Sequence, residues 1–204
     1  MDALQHWSGL YFEVEAVSRF LADYKNQFRR NIKYLGLEII LPFILFLIRD
    51  QKKSYRIGIP TLLNIKVNKR ITLTEVFNRK IWLDEDFDLL LAPEGDEQNK
   101  YHKIQIVRFA GDEQGSTEGL SSFLEEKKFN IIKDEKLLLL VLLDKELKLK
   151  YFELSQKLKE TNVPYGQIFI LGTRKVIKTD VFFCFQIYPE VKTLGELTPS
   201  TIKY

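Results

Sequence analysis

Apolar residues recur at helical spacing over Phe12 to Tyr34, falling at Val14, Val17, Leu21, Tyr24, Phe28 and Ile32. Steps of three and four put them on one face, which predicts an amphipathic helix, with Gly36 as its stop. Leu37 to Arg49 is almost continuously apolar. Periodicity leaves it open as a buried strand or a buried helix, and Pro42 argues against an uninterrupted central strand. Residues 55–74 read as β-like in three stretches, Arg56–Ile59, Asn64–Val67 and Arg70–Leu73. Phe87 to Ala92 predicts a short strand closed by Pro93 and Gly95, with Lys103 to Phe109 as its hairpin partner. Ser116 or Thr117 can cap a helix running to Phe129. The apolar run Leu137–Leu143 suits a strand buried on both faces. A helix follows over Leu149–Thr161, broken by Asn162 to Gly166, then strands at Gln167–Gly172 and Val181–Tyr188. From Phe87 onward the order is β-β-α-β-α-β. Strands separated by helices imply crossovers and a sheet with both faces covered. The expected class is α/β, a mixed central β-sheet flanked by helices.

Length and composition sharpen the picture by exclusion. The 204 residues, 45% hydrophobic and 29% charged, describe an ordinary globular chain. They divide without a Pro/Gly/Ser-rich linker, so one domain is expected. Within it stand an N-terminal helix and β region (1–80), a core (84–172) and a C-terminal strand and tail (173–204). One cysteine, Cys184, and two histidines, His6 and His102, exclude an internal disulfide and a Cys-rich zinc site. Cys184 reads as a small core residue and His102 as a surface residue. The longest apolar stretch, Ile39–Ile48, is half of what a spanning helix needs, and no leader pattern opens the chain. The expectation is a cytoplasmic protein with no membrane contact.

Net charge is only +3, but it is unevenly spread. Residues 25–80 carry thirteen Lys/Arg against three acids, whereas residues 84–97 carry seven acids and no base. A basic segment can neutralise phosphates, and Lys25, Arg29, Arg30 and Lys33 are the candidate nucleic-acid contacts. They also read as ordinary solvated helix residues. Clustered carboxylates can hold a divalent cation, because hard cations take oxygen ligands; they read equally as an acidic loop.

Two segments stand in a suggestive order: Asp86-Phe87-Asp88-Leu89-Leu90-Leu91, then Lys103-Ile104-Gln105-Ile106-Val107-Arg108-Phe109. With the helix and the strand Leu137–Leu143 that follow, this resembles the core of the PD-(D/E)XK, or restriction-endonuclease-like, superfamily. That family's core is a helix, a β-hairpin bearing the active site, a crossover helix and a further strand. An acid opens one hairpin strand, and a Glu/Asp-x-Lys triplet lies on the next. Two carboxylates converge on Mg²⁺, which polarises the phosphate and acidifies its water. The lysine shares their face because strand side chains alternate with period two. By this resemblance Asp88 takes the place of the first acid, with Asp86 as a second metal ligand. Gln105 takes the place of the second acid and Val107 that of the lysine. An amide binds Mg²⁺ more weakly than a carboxylate, and valine carries neither charge nor a donor.

The resemblance therefore implies a nuclease-like protein with a degraded metal site. Its activity is impaired or lost, and it binds DNA, RNA or a nucleic-acid-processing protein. The alternative is an active Mg²⁺-dependent nuclease built on Asp86, Asp88, Gln105 and either Lys103 or Arg108. In that case Mg²⁺ is the cofactor; otherwise there is none. Arg108 alternates away from Gln105 and needs a bulge to join it. Glu13, Glu15 and Glu38 are candidate helix acids. A third reading is a protein-interaction or scaffold module using apolar surface near Leu37–Ile48 or Val181–Tyr188.

Overall fold

The computed structural model describes residues 8–28, 30–61, 71–80, 87–95, 100–111, 117–131, 133–145 and 147–198. Eight strands form one sheet in the order of the chain: β1 (Ser8–Glu13), β2 (Tyr55–Thr61), β3 (Leu89–Pro93), β4 (His102–Phe109), β5 (Asp134–Leu143), β6 (Tyr165–Val176), β7 (Thr179–Tyr188) and β8 (Lys192–Leu197). The first four pair antiparallel, β4, β5 and β6 run parallel, and β6, β7 and β8 pair antiparallel again. The sheet is thus mixed and the class is α/β. Helices α1 (Val14–Phe28) and α2 (Ile32–Gln51) join β1 to β2, and α3 (Leu73–Arg79) lies between β2 and β3. Helices α4 (Thr117–Lys128) and α5 (Tyr151–Glu160) are the crossovers of the parallel part.

Period-two alternation sorts the sheet into two cores. Leu138 and Leu140 of β5 and Phe169 and Leu171 of β6 pack with α1, α2 and α3. Their neighbours Leu139, Val141, Ile168 and Ile170 pack with Leu120 and Leu124 of α4 and Leu154 and Leu158 of α5. Two successive crossovers moving the same way across a sheet fall on one face when both are right-handed, which agrees with α4 and α5 sharing a core. The strands of the parallel part are consequently apolar on both sides, as Leu137–Leu143 foretold.

The region 12–51 departs from expectation in three ways. Phe12 and Glu13 belong to β1, not to the helix. The helix breaks at Asn31, whose Oδ1 accepts the backbone N–H of Tyr34 at 3.3 Å and so caps α2. Gly36 therefore lies inside α2 rather than ending a helix, and it packs near Leu89 and Ile106. The ambiguous segment Leu37–Arg49 is helical despite Pro42. A proline in a helix interior costs ~3 kcal/mol. Here Leu37, Ile40, Leu41, Phe43, Ile44, Phe46 and Leu47 are all buried, and at ~1.5–3 kcal/mol per buried side chain the packing outweighs that cost.

Residues 55–74 also differ. Arg56–Ile59 lies in β2 as expected, while Asn64–Val67 lies outside the described residues. Ile71 to Leu73 is not a strand: Thr72 caps α3 and exchanges reciprocal hydrogen bonds with Glu75. That Thr-x-x-Glu capping box is legible in the sequence and outranks the local β-propensity. At the far edge, Arg49 of α2 donates to the carbonyls of Glu196 and Leu194, and Lys192 meets Asp50 at 2.6 Å, fastening β8 to α2. Among the described residues no helix is long and apolar enough to cross a membrane.

Candidate functional site

The hairpin expected to bear the site is β3–β4, with Leu89 paired to Ile104 and Leu91 to His102. One step further along this register, Asp88 stands opposite Gln105. Asp88 donates its backbone N–H to the Ile104 carbonyl at 2.7 Å, and its Oδ2 accepts the backbone N–H of Ile106 at 2.7 Å. The carboxylate thereby takes over the ladder where β3 begins, satisfying a strand donor that has no β3 carbonyl opposite it.

Gln105 shares the α4/α5 side of β4 with Val107 and Phe109, both members of that core. Its Oε1 lies 2.5 Å from the Tyr165 hydroxyl, which also lies 3.1 Å from the Lys128 carbonyl. One hydroxyl hydrogen cannot serve two acceptors fully. The shorter contact makes Gln105 Oε1 the main acceptor of the Tyr165 hydroxyl, with the Lys128 carbonyl a second, longer acceptor of the same hydrogen. Tyr165 is 1% exposed, and burial drives its phenol pKa far above the ordinary range. The ring of Phe129 lies 6.2 Å away. Gln105 is thus tied into the junction of β6 and the end of α4.

Val107, two residues after Gln105 and expected from the resemblance to replace a lysine, is 9% exposed within the apolar core. Lys103 is two residues from Gln105 but its Nζ meets Asp134 Oδ2 at 2.9 Å and sits 5.8 Å from the Phe87 ring. Asp134 is held below the usual carboxylate range: partial burial opposes this, but hydrogen bonds from Lys103 and the Lys136 backbone prevail. Arg108 is exposed at the other end of β4, 3.7 Å from Asp144. Lys103 and Arg108 stand roughly 16 Å apart along the strand, at ~3.3 Å per residue. They do not converge on one phosphate, and no bulge in the β4–β5 register turns Arg108 toward Gln105. Asp86 lies outside the described residues.

The helix acids do not complete this site. Helices α1 and α2 pack on the other core, so Glu15 and Glu38 lie across the sheet from Gln105. Glu13 pairs with Arg56 at 2.9 Å. Among the described residues, Asp88 and Gln105 supply one carboxylate, engaged by the Ile106 backbone, and one amide. Mg²⁺ prefers near-octahedral oxygen ligation anchored by carboxylates, so this donor set does not fit it. Among the described residues no group of three or more His, Cys, Asp or Glu side chains gathers in a metal-binding cluster.

Of the candidate phosphate contacts, Arg30 is exposed at the turn between α1 and α2. Arg29 and the side chains of Lys25 and Lys33 lie outside the described residues. His102 is half-buried, not a surface residue. Its Nδ1 has no hydrogen-bond partner among the described residues, and burial, then the nearby Lys136 ammonium, lowers its pKa. Sequence reasoning missed Tyr165 and Asp134. Parallel pairing brings them to β4 from 60 and 31 residues away, and no local motif marks either. A cleft of about 640 Å³ opens elsewhere, between α1, the β1–β2 pair and the start of α3, with Arg19, Asp23, Tyr24 and Arg56 in its walls.

No protein-family model, no curated protein and no solved structure matches the chain.

Proposed function

We propose that this is a restriction-endonuclease-like protein whose metal site has been lost and which binds nucleic acid without cutting it. One observation carries the reading. Helix α2 is followed, after β2 and α3, by the antiparallel pair β3–β4, crossover helix α4 and strand β5 parallel to β4, which supports a core of that family's kind, and Asp88 leads into β3 as the first acid would. The chemistry around Asp88 argues for binding over hydrolysis. Asp88 is spent on Ile106, Gln105 on Tyr165, and Val107 is packed among leucines. Hydrolysis needs a cation to activate water and shield the phosphate. Neither an amide nor a buried valine replaces it.

The test is direct. Purified protein is incubated with plasmid, single-stranded DNA and RNA in Mg²⁺ or Mn²⁺, and binding is followed by anisotropy across a salt series. The expected result is no cleavage and an affinity that falls as salt rises, by counterion release. Cleavage abolished by Asp88→Ala establishes the active-nuclease alternative instead. Absence of binding to every nucleic acid removes the proposal.

A further inference from the structure

The β6–β7 hairpin outruns the sheet. The described β5 register ends opposite Leu171, and that of β8 opposite Phe182. Beyond them, Arg174, Lys175 and Val176 pair only with Val181, Asp180 and Thr179, forming a two-stranded arm. At ~3.3 Å per residue it reaches roughly 13 Å past its neighbours. Residues 173–180 are all exposed.

Its tip is built against the grain of stability. Ile177 is the first of two turn residues and has φ +60°. A positive φ there is the mark of the type II′ hairpin turn, a place for glycine. A β-branched residue in that conformation is an outlier, and such strain costs of order 1–3 kcal/mol. Ile177 is also 97% exposed, and Val176 beside it is 40% exposed. A strained backbone and an isoleucine surrendered to water coincide at one residue. Around it stand Arg174, Lys175 and Lys178 against Asp180. Arg174 pairs with Glu196 of β8, whereas Lys175 and Lys178 form no ion pair among the described residues.

We propose that this arm is a DNA wedge: Lys175 and Lys178 meet backbone phosphates of duplex DNA, and Ile177 enters between adjacent base pairs and kinks the helix. A two-stranded ribbon fits a groove of B-form DNA, and apolar side chains flanked by cations are the groups that unstack base steps. The deep, narrow major groove of A-form RNA disfavours the same entry. Asp180 faces Lys175 and Glu196 neutralises Arg174, but Lys175 and Lys178 form no ion pair among the described residues, and these two cations beside the exposed tip favour a polyanion over an apolar protein surface. The inference rests on the nucleic-acid reading above and adds the duplex, the residue that enters it and the bend.

The test uses the full chain and a 30-base-pair duplex carrying a donor and an acceptor dye at its ends. The native protein is expected to bind and to raise energy transfer by bending the DNA. Ile177→Gly relieves the strain and removes the wedge. Its melting temperature is expected to rise while binding weakens roughly tenfold and the bend disappears. Ile177→Met keeps an apolar, unbranched wedge and is expected to keep the bend. Lys175→Gln with Lys178→Gln is expected to flatten the slope of log affinity against log salt by about 1.8, two phosphates at ~0.9 each. Native-like bending by Ile177→Gly overturns the wedge and leaves the nucleic-acid reading standing. Failure of the native chain to bind any DNA or RNA overturns both. Sedimentation with phosphatidylserine vesicles but not with duplex assigns the arm to a membrane surface and overturns the proposal.

Discussion

Replacing Tyr165 with phenylalanine isolates the role of the amide at Gln105. The substitution keeps the buried ring and deletes one oxygen, the atom 2.5 Å from Gln105 and 3.1 Å from the Lys128 carbonyl. A hydrogen bond contributes ~0.5–1.5 kcal/mol net, and a buried group stripped of its partner costs ~1–3 kcal/mol. Gln105 is only half-buried, so water can reach it and its share falls at the low end. The expected loss is about 1–2 kcal/mol, or roughly 2–8 °C in Tm for a chain of this size. Gln105→Leu should cost less, because Tyr165 can still donate to Lys128. With Gln105 already gone, Tyr165→Phe no longer breaks a bond to the amide. Urea denaturation of both single variants and the double should therefore show a coupling of about 1 kcal/mol. Strict additivity would mean that the amide and the phenol do not hold each other, leaving Gln105 available for a ligand and reopening hydrolysis.

Other substitutions and pH report on neighbouring parts of the same construction. Asp88→Ala should destabilise by about 1–2 kcal/mol by orphaning the Ile106 N–H, while Asp88→Asn retains an acceptor and should cost less; equal losses in urea midpoints would dissociate Asp88 from the ladder. Gly166→Ala places a methyl 2.0 Å from the Glu135 backbone oxygen, so it should cost at least the ~1–3 kcal/mol of ordinary overpacking; a native-like Tm would place Gly166 away from β5. Burial raises the pKa of Tyr55, Tyr151, Tyr165 and Cys184. A raised folded pKa gives stability that is whole below the unfolded value and is lost above it. Urea midpoints should fall from about pH 8.5, the unfolded cysteine value, and more steeply above ~10 for the tyrosines. Cys184→Ala should abolish the first part alone. His102 and Asp134 have lowered pKa values, so their contributions are present above roughly 6.5 and 3.9 and fade as pH falls through the folded values. His102→Gln should flatten the stability profile between pH 6.5 and 5.

The sheet's parallel half was legible because each of its strands is a short apolar run set off by a helix or a break. Leu137–Leu143 and Gln167–Gly172 could scarcely be anything else. The N-terminal half was less so. An unbroken series of apolar residues from Val14 to Ile32 conceals a cap at Asn31, because side-chain spacing continues across a break that a single hydrogen bond makes. The edge strands β1 and β8 escaped altogether. Edge strands are half-exposed, and Lys192 to Leu197 carries a glycine, a lysine and a glutamate among its six residues; its place is set by Arg49 and Asp50, some 145 residues earlier. For the candidate site, the facing of Asp88 and Gln105 across β3–β4 was readable and their partners were not. Asp88 and Gln105 were found from local order, whereas Tyr165 reaches Gln105 only once three parallel strands have been laid side by side.

That difference bears on what Gln105 is for. On the proposed reading, the amide stands where a relative would seat a metal. The bond to Tyr165 and the valine two residues on describe a strand whose inward face is core. A glutamate in place of Gln105 would bring a charge to this half-buried face, where burial disfavours the ionised form. The surroundings thus favour a neutral amide. On the proposed nucleic-acid reading, the exposed cations stand away from Gln105, on the β6–β7 arm and at Arg30, where no core constrains them.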